Sequence, residues 1–112
     1  MLATDDGSIG EHGFVTGTFE DAAESDPPEL VIACGPTPML RATAQIAGEL
    51  HLPAQLSLEE TFACGVGGCW GCVVPITQTS AQAPPFPPTQ DGVVFARICK
   101  EGPVFIAEEL RW

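Results

Sequence analysis

Residues 61–76 read TFACGVGGCWGCVVPI and contain three of the chain's five cysteines. A fourth follows at position 99, so the spacing is C-x4-C-x2-C-x26-C. Three cysteines on one loop with a distant fourth is typical of plant-type [2Fe–2S] ligands. Four glycines lie between the loop cysteines, where a backbone that turns its N–H groups toward a cluster needs small residues and positive φ. The predicted ligands are Cys64, Cys69, Cys72 and Cys99.

Three other interpretations of these four cysteines stay open: a structural zinc site, two disulfides, or four unliganded buried cysteines. A structural zinc site also takes four thiolates, but usually as two C-x2–4-C pairs, whereas Cys99 stands alone. Two disulfides fit the even number, but they do not explain the glycines. Disulfides also need an oxidising compartment. The N-terminus has neither the basic nor the apolar region of a signal peptide, which predicts a cytoplasmic protein.

Upstream of the cysteine segment, the pattern is half of a βαβ unit. Leu30 to Ala33 form a short apolar run that ends at Gly35-Pro36, which predicts a strand buried on both faces. We expect Thr37 to cap a helix over residues 38–50 with Pro38 at its first position. Alternation over 53–58 predicts a further strand.

Charge is concentrated at the N-terminus. Residues 1–30 hold eight acidic residues and no Lys or Arg, and the whole chain has a formal net charge of −11. We expect residues 1–30 to form a solvated loop face. So acidic a chain repels nucleic acid and anionic membranes, and neither is a predicted partner. No apolar run approaches the roughly 20 residues of a membrane-spanning helix.

Downstream, two predicted strands flank a proline-rich loop. Residues 72–76 and 92–98 have strand patterns, and a short final strand follows Gly102-Pro103. Residues 77–91 carry four prolines among Thr, Gln, Ser and Ala. This composition predicts a solvated, extended and mobile loop.

Cys34 stands apart from the other cysteines, at the end of the first predicted strand. It is either a small buried apolar residue or a neighbour of a bound nucleotide, since the strand–Gly–helix turn is where open α/β sheets bind ligands. The turn alone is a weak signal, so both interpretations stay open here.

Several segments together resemble one family. The chain is similar to the C-terminal half of the electron-transfer subunit of NAD-linked (class 1B) dihydroorotate dehydrogenase, a ferredoxin-reductase-like flavoprotein. The cysteine segment together with Cys99 is highly specific for this family, whereas the Cys-Gly-Pro-x-Pro-Met turn is shared by the wider reductase superfamily. The resembling segments are ATDDGS (3–8), GFVT (13–16), CGPTPM (34–39), LEE (58–60), ACGVGGCWGC (63–72) and CKEGPVF (99–105).

The resemblance assigns roles to two groups of residues. The four cysteines of the C-x4-C-x2-C-x26-C pattern match the family's [2Fe–2S] ligands. A second group matches the family's nucleotide-binding residues. The Cys-Gly-Pro-x-Pro-Met turn would face the nicotinamide and flavin, and an acid near the N-terminus would accept a ribose hydroxyl and favour NAD over NADP. That second group consists of Asp5, Asp6, Cys34, Gly35, Pro36 and Met39.

The resemblance also implies a fold and a function. We expect an α/β chain: the C-terminal part of a ferredoxin-reductase-like NAD-binding domain at 1–54, then a small β-rich [2Fe–2S] domain at 55–112 that carries the proline-rich loop 77–91. In the family, electrons pass from the FMN of a dihydroorotate dehydrogenase catalytic subunit through the cluster to FAD and NAD, in pyrimidine biosynthesis. The expected partner is that catalytic subunit, in a hetero-oligomer.

This sequence departs from the family pattern in two ways. The family's FAD-binding β-barrel and Gly-rich phosphate loop have no counterpart here, so we expect a fragment, a split gene product or a misassigned start that cannot complete a flavin-mediated reaction alone. The gap between Cys72 and Cys99 is longer than expected, which marks 77–91 as an insertion. An electron-transfer subunit of another flavin or iron–sulfur oxidoreductase, or a zinc-stabilised interaction domain, remains an alternative.

Overall fold

The computed structural model describes all residues, 1–112. In chain order the elements are β1 (Ala3–Thr4), β2 (Glu11–His12), α1 (Val15–Ser25), β3 (Val31–Cys34), α2 (Thr37–Glu49), β4 (Ala54–Ser57), β5 (Val73–Thr77), β6 (Val93–Arg97) and β7 (Val104–Ile106), followed by a 3-10 turn at Ala107–Glu109. Neither helix is both long enough and apolar enough to cross a membrane.

The largest sheet has three strands in the order β3-β4-β7. β3 and β4 are parallel and joined by α2, as the half βαβ pattern predicts, and β7 is antiparallel to β4. The predicted domain limit at 54/55 stays a prediction, but strands from both sides of it share this sheet. The last strand therefore fastens the cysteine-bearing half of the chain to the first half.

A hairpin of β5 and β6 carries the cysteine loop at one end. The two strands pair antiparallel from Val73↔Arg97 to Thr77↔Val93, which confirms the two strands predicted beside the proline-rich loop. Cys72 lies just before β5 and Cys99 just after β6, so the hairpin brings together two cysteines 27 residues apart. Cys99 therefore follows a distant strand and lies beside Cys72, while its role as the fourth ligand stays a prediction.

One apolar core joins the sheet, α2 and the hairpin. Its fully buried side chains include Leu40 of α2, Leu56 of β4, Ile76 of β5 and Phe105 of β7. The register explains this packing, because Leu56 pairs with Phe105 and both side chains point to the same face of the sheet. The core thus holds the hairpin, and the loop on its end, against the helix-covered face.

Residues 15–25 correct the prediction that residues 1–30 form a solvated loop. They form α1, whose buried residues are Thr18 and Ala23. Its fully buried positions hold small or polar residues, and Phe19 is the one large apolar side chain of the helix that packs against the core, so helical periodicity is hard to see in the sequence. The acidic side chains of α1 are exposed to solvent, as we expected for the acidic residues of this region.

Two further predictions in the βαβ half were wrong. β3 is not buried on both faces: Val31 is buried, but the side chain of Ile32 is 71% exposed, because α2 covers only one face of the sheet. Thr37 does not cap α2. Pro36 is the N-cap residue, no side chain caps the helix, and the carbonyl of Pro36 accepts a hydrogen bond from the N–H of Leu40.

The proline-rich loop is anchored over its first half, which corrects the prediction of a wholly solvated segment. The Ser80 hydroxyl donates to Glu109 at 2.6 Å, and the Gln82 amide donates to the carbonyls of Glu101 at 2.7 Å and Val104 at 2.8 Å. From Pro85 to Asp91 every residue is exposed. The loop is thus tied to the turn after Cys99 and to β7.

Candidate iron–sulfur and nucleotide sites

The cysteine loop, residues 64–72, directs backbone N–H groups at its sulfurs. The N–H groups of Gly68 and Cys69 donate to Cys64 Sγ at 3.3 and 3.4 Å, and that of Gly71 donates to Cys69 Sγ at 3.4 Å. Gly65 and Gly67 have φ of +66° and +80°, which L side chains rarely adopt. Of the four glycines between the loop cysteines, Gly65 and Gly67 adopt the predicted positive φ, whereas Gly68 and Gly71 do not and instead donate their N–H groups to sulfur.

The four predicted ligands lie as two neighbouring pairs. The Cys69 thiol lies close enough to Cys64 to lower the pKa of Cys64, and the Cys72 thiol lies close enough to Cys99 to raise the pKa of Cys99. The N–H of Cys99 also donates to Cys72 Sγ at 3.5 Å. No three His, Cys, Asp or Glu side chains surround one point at metal-ligating distance. The hairpin end and the loop thus bring the four thiols to one end of the molecule as two pairs.

The electrostatics of the loop favour the thiolate of Cys64. The backbone N–H groups of Cys69 and Val66, then the Cys69 thiol and the N–H of Gly68, lower the pKa of Cys64 from 9.0 to about 6. The hydrogen bond with Cys72 and burial raise the pKa of Cys99. Thiolate is the form that ligates iron, and N–H donors offset its charge. The donor set and the backbone of the loop therefore fit an iron–sulfur cluster.

Sequence reasoning missed Arg97, the last residue of β6. Its side chain is 10% exposed and forms an ion pair with Glu101. Its Nη1 donates to the carbonyl of Gly67 at 2.7 Å, and its guanidinium carbon lies 4.5 Å from the ring centroid of Trp70. The one available signal was a cation two residues before Cys99 in a chain with only four Lys and Arg.

A second site lies between the N-terminal segment and the turn before α2. Asp5, Pro36 and Met39, which the resemblance assigned to the nucleotide side, line one open cavity of about 590 Å³. Phe14 and Thr16, from the start of α1, line it too and were not predicted as site residues. The lining of the cavity is mostly apolar, and Asp5 is its one acidic residue.

The remaining nucleotide-side residues are placed differently. Asp6 accepts the N–H of Ser8 at 2.9 Å, which is a cause of its lowered pKa, so this carboxylate serves a local turn rather than the cavity. Gly35 lies under Met39, whose methyl group would come within 2.6 Å of a Cβ added at Gly35. The interpretation of Cys34 as a buried apolar residue was wrong: it is exposed and donates to Glu59 Oε1 at 3.5 Å.

Comparison with known proteins confirms the resemblance seen in the sequence. The chain is 37% identical over 98% of its length to the dihydroorotate dehydrogenase B (NAD(+)) electron transfer subunit of Caldanaerobacter subterraneus subsp. tengcongensis, and covers 39% of that protein. For the corresponding subunit of Bacillus caldolyticus the identity is 41% over 97% of the chain, and 36% of that protein is covered. No family model matches. The chain therefore spans a little over a third of the length of these relatives.

A solved structure has a similar fold. The chain aligns over its whole length with 35% of an NADH-dependent reduced ferredoxin-NADP oxidoreductase, described in connection with flavin-based electron bifurcation, with a TM-score of 0.69 and 27% identity. The chain is thus a relative of dihydroorotate dehydrogenase B electron transfer subunits, with the mixed helix–strand fold of part of a flavin-dependent reductase.

Proposed function

We propose that this chain, as a relative of dihydroorotate dehydrogenase B electron transfer subunits, holds a [2Fe–2S] cluster on Cys64, Cys69, Cys72 and Cys99. The observation that carries the proposal is the set of backbone N–H groups directed at the sulfurs of Cys64, Cys69 and Cys72. Such a cluster supplies one-electron transfer, and N–H donors to its sulfurs tune its reduction potential.

The residues of the chain have separate tasks in this proposal. The loop 64–72 supplies three thiolates and their N–H donors, and the β5–β6 hairpin brings the fourth thiolate to them. The cavity beside Asp5, Pro36 and Met39 contributes one wall of a nucleotide site, for the NAD or FAD used by the longer relatives. In a complex with an FMN-containing dihydroorotate dehydrogenase catalytic subunit, the chain passes single electrons between the FMN of that subunit and the FAD and NAD, in pyrimidine biosynthesis.

Anaerobic purification of the chain tests the cluster. We expect a red-brown protein with about two irons and two sulfides per chain, the content of a [2Fe–2S] centre with four thiolates. Cys→Ser at position 64, 69, 72 or 99 should remove most of the iron and the visible absorption. Cys34→Ser is the matched control and should retain both. A colourless protein with one zinc per chain would contradict the proposal, since zinc thiolates do not absorb visible light.

The structural likeness to the ferredoxin-NADP oxidoreductase supports a second candidate, electron transfer in a ferredoxin-linked reductase. Co-expression distinguishes the two: a dihydroorotate dehydrogenase catalytic subunit from the same genome should co-purify with this chain under the first proposal. Co-purification with a ferredoxin and not with that subunit would favour the second. The four cysteines have the same task in either case.

A further inference from the structure

The guanidinium of Arg97 has partners on three sides, all near the cysteine loop. Its Nε donates to Glu101 Oε2 at 3.0 Å, and Nη2 binds the other oxygen of the same carboxylate. Nη1 reaches across to the carbonyl of Gly67, and the planar face covers Trp70. Because Glu101 orients the guanidinium and β6 carries it, Arg97 connects the cysteine loop to the most regular part of the hairpin.

The contact with Gly67 has a direct consequence for Cys64. The carbonyl of Gly67 and the N–H of Gly68 belong to one planar trans peptide, so they point in opposite directions. Arg97 holds the carbonyl on one side at 2.7 Å, and the N–H on the other side donates to Cys64 Sγ at 3.3 Å. Holding the carbonyl therefore fixes the direction in which the N–H points.

Trp70 is the second point at which Arg97 holds the loop. It has a φ of +59°, in the left-handed region that costs a non-glycine residue roughly 1 kcal/mol or more. The guanidinium covers one part of its ring, and Phe86 of the proline-rich loop packs edge-on against it with ring centroids 5.1 Å apart. These contacts offset the backbone cost and keep Trp70 between the ligands Cys69 and Cys72.

We propose that Arg97 is a positioning residue for the iron–sulfur site, acting through the Gly67–Gly68 peptide and Trp70 rather than by touching the cluster. The proposal rests on the proposed function, because it concerns how the cluster ligands are held. Two effects of Arg97 would each raise the reduction potential: the N–H it orients toward a ligand sulfur, and its positive charge, which favours the more negative reduced state. A lysine variant separates them, because Lys keeps the charge but lacks the planar fork.

The test compares Arg97→Met, Arg97→Lys and wild type, all purified anaerobically with cluster, with Arg111→Met as the matched control at an exposed arginine. The readouts are the midpoint potential in a dye-mediated redox titration and the rate of iron loss to a chelator. Positioning predicts a more negative potential for both Arg97 variants and about tenfold poorer iron retention, the lower end of the effect of residues that orient metal ligands. Arg111→Met should match wild type.

Two outcomes overturn the positioning role. One is a wild-type potential and iron retention in Arg97→Lys with a shift only in Arg97→Met, which would make charge the whole effect. The other is no shift in either variant. Should Arg97→Lys take up no iron, Glu101→Gln replaces it, because the orienting carboxylate is lost while Arg97 stays. Its readout is iron retention alone, since loss of the Glu101 charge also shifts the potential, and a wild-type rate of iron loss there also overturns the role. A wild-type chain that takes up no cluster would instead defeat the proposed function, so the two failures are distinguishable.

Discussion

At the scale of single residues, the cysteine loop depends on backbone conformations that only some positions can adopt. Gly67 has a φ of +80°, and a Cβ there would come within 2.7 Å of Cδ of Lys100. Gly68, its neighbour, lies outside the left-handed region, and an added Cβ would meet nothing within 4 Å. Of these two adjacent glycines, only Gly67 has a backbone conformation that favours glycine, whereas the N–H of Gly68 would be supplied by any residue except proline.

This difference predicts different effects of alanine at the two positions. Gly67→Ala should lower the free energy of unfolding by about 1–2 kcal/mol, the cost of left-handed backbone for a residue with a Cβ, and should also reduce iron content. Gly68→Ala keeps its N–H and its conformation, and should change stability by less than about 0.5 kcal/mol. Urea unfolding of both variants measures the difference. Equal losses in the two would contradict the backbone argument.

The four cysteines proposed as ligands could be identified at this scale because their spacing is a pattern that can be read in the sequence. Arg97 could not, because its contact with Gly67 joins residues 30 positions apart through a hairpin that the sequence predicts only as two separate strands. Asp6 shows how a local contact competes with a predicted role. Its carboxylate has the chemistry of a ribose ligand, but its Oδ1 accepts the N–H of Ser8, two residues further along the chain.

At the scale of elements, strands and α2 were predictable wherever large apolar residues repeat with a clear period. α1 was not, since its buried residues are Thr18 and Ala23. The exposure of Ile32 could not be predicted from the sequence either, because a continuous apolar run does not show how many faces of a strand are covered. The prediction for the proline-rich loop was incomplete for a similar reason. Composition predicts a solvated loop, but it does not show that Ser80 and Gln82 form hydrogen bonds to distant segments.

The anchored half of that loop gives a prediction about proteolysis. Gln82 donates two hydrogen bonds to backbone carbonyls of the segment after Cys99, so Gln82→Ala should release residues 80–86 and speed cleavage of the loop by a broad-specificity protease several-fold. Gln90→Ala, in the exposed half, is the matched control and should be cut at the wild-type rate. In wild type, first cleavage should fall within 85–91, mapped by mass spectrometry. A first cut within 78–84 in wild type would show that the anchor does not hold.

At the scale of the whole molecule, the chain is strongly acidic and small. Its extents are 45 × 30 × 21 Å, and its net charge is −11 with only four cationic side chains. At 0.01 M salt the screening length is about 30 Å, comparable with the molecule, so most of the acids repel one another. At 0.15 M it is about 8 Å, and only neighbours interact. The unfolded chain spreads the same charges further apart, so repulsion destabilises the folded state most at low salt.

Because the screening length falls below the size of the molecule as salt is added, the stability of the folded chain should depend on salt. Raising NaCl from about 0.01 to 0.15 M should increase the midpoint of thermal unfolding, because screening weakens repulsion among the acids more than it weakens the nearly buried Arg97–Glu101 pair. The triple variant Glu20→Gln, Asp21→Asn, Glu24→Gln removes three exposed charges from α1 and should show a smaller increase from a higher starting midpoint. The measurement is calorimetry of matched samples across the salt series. A midpoint that falls with salt in wild type would mean that attractive ion pairs, rather than net repulsion, dominate the electrostatics of this chain.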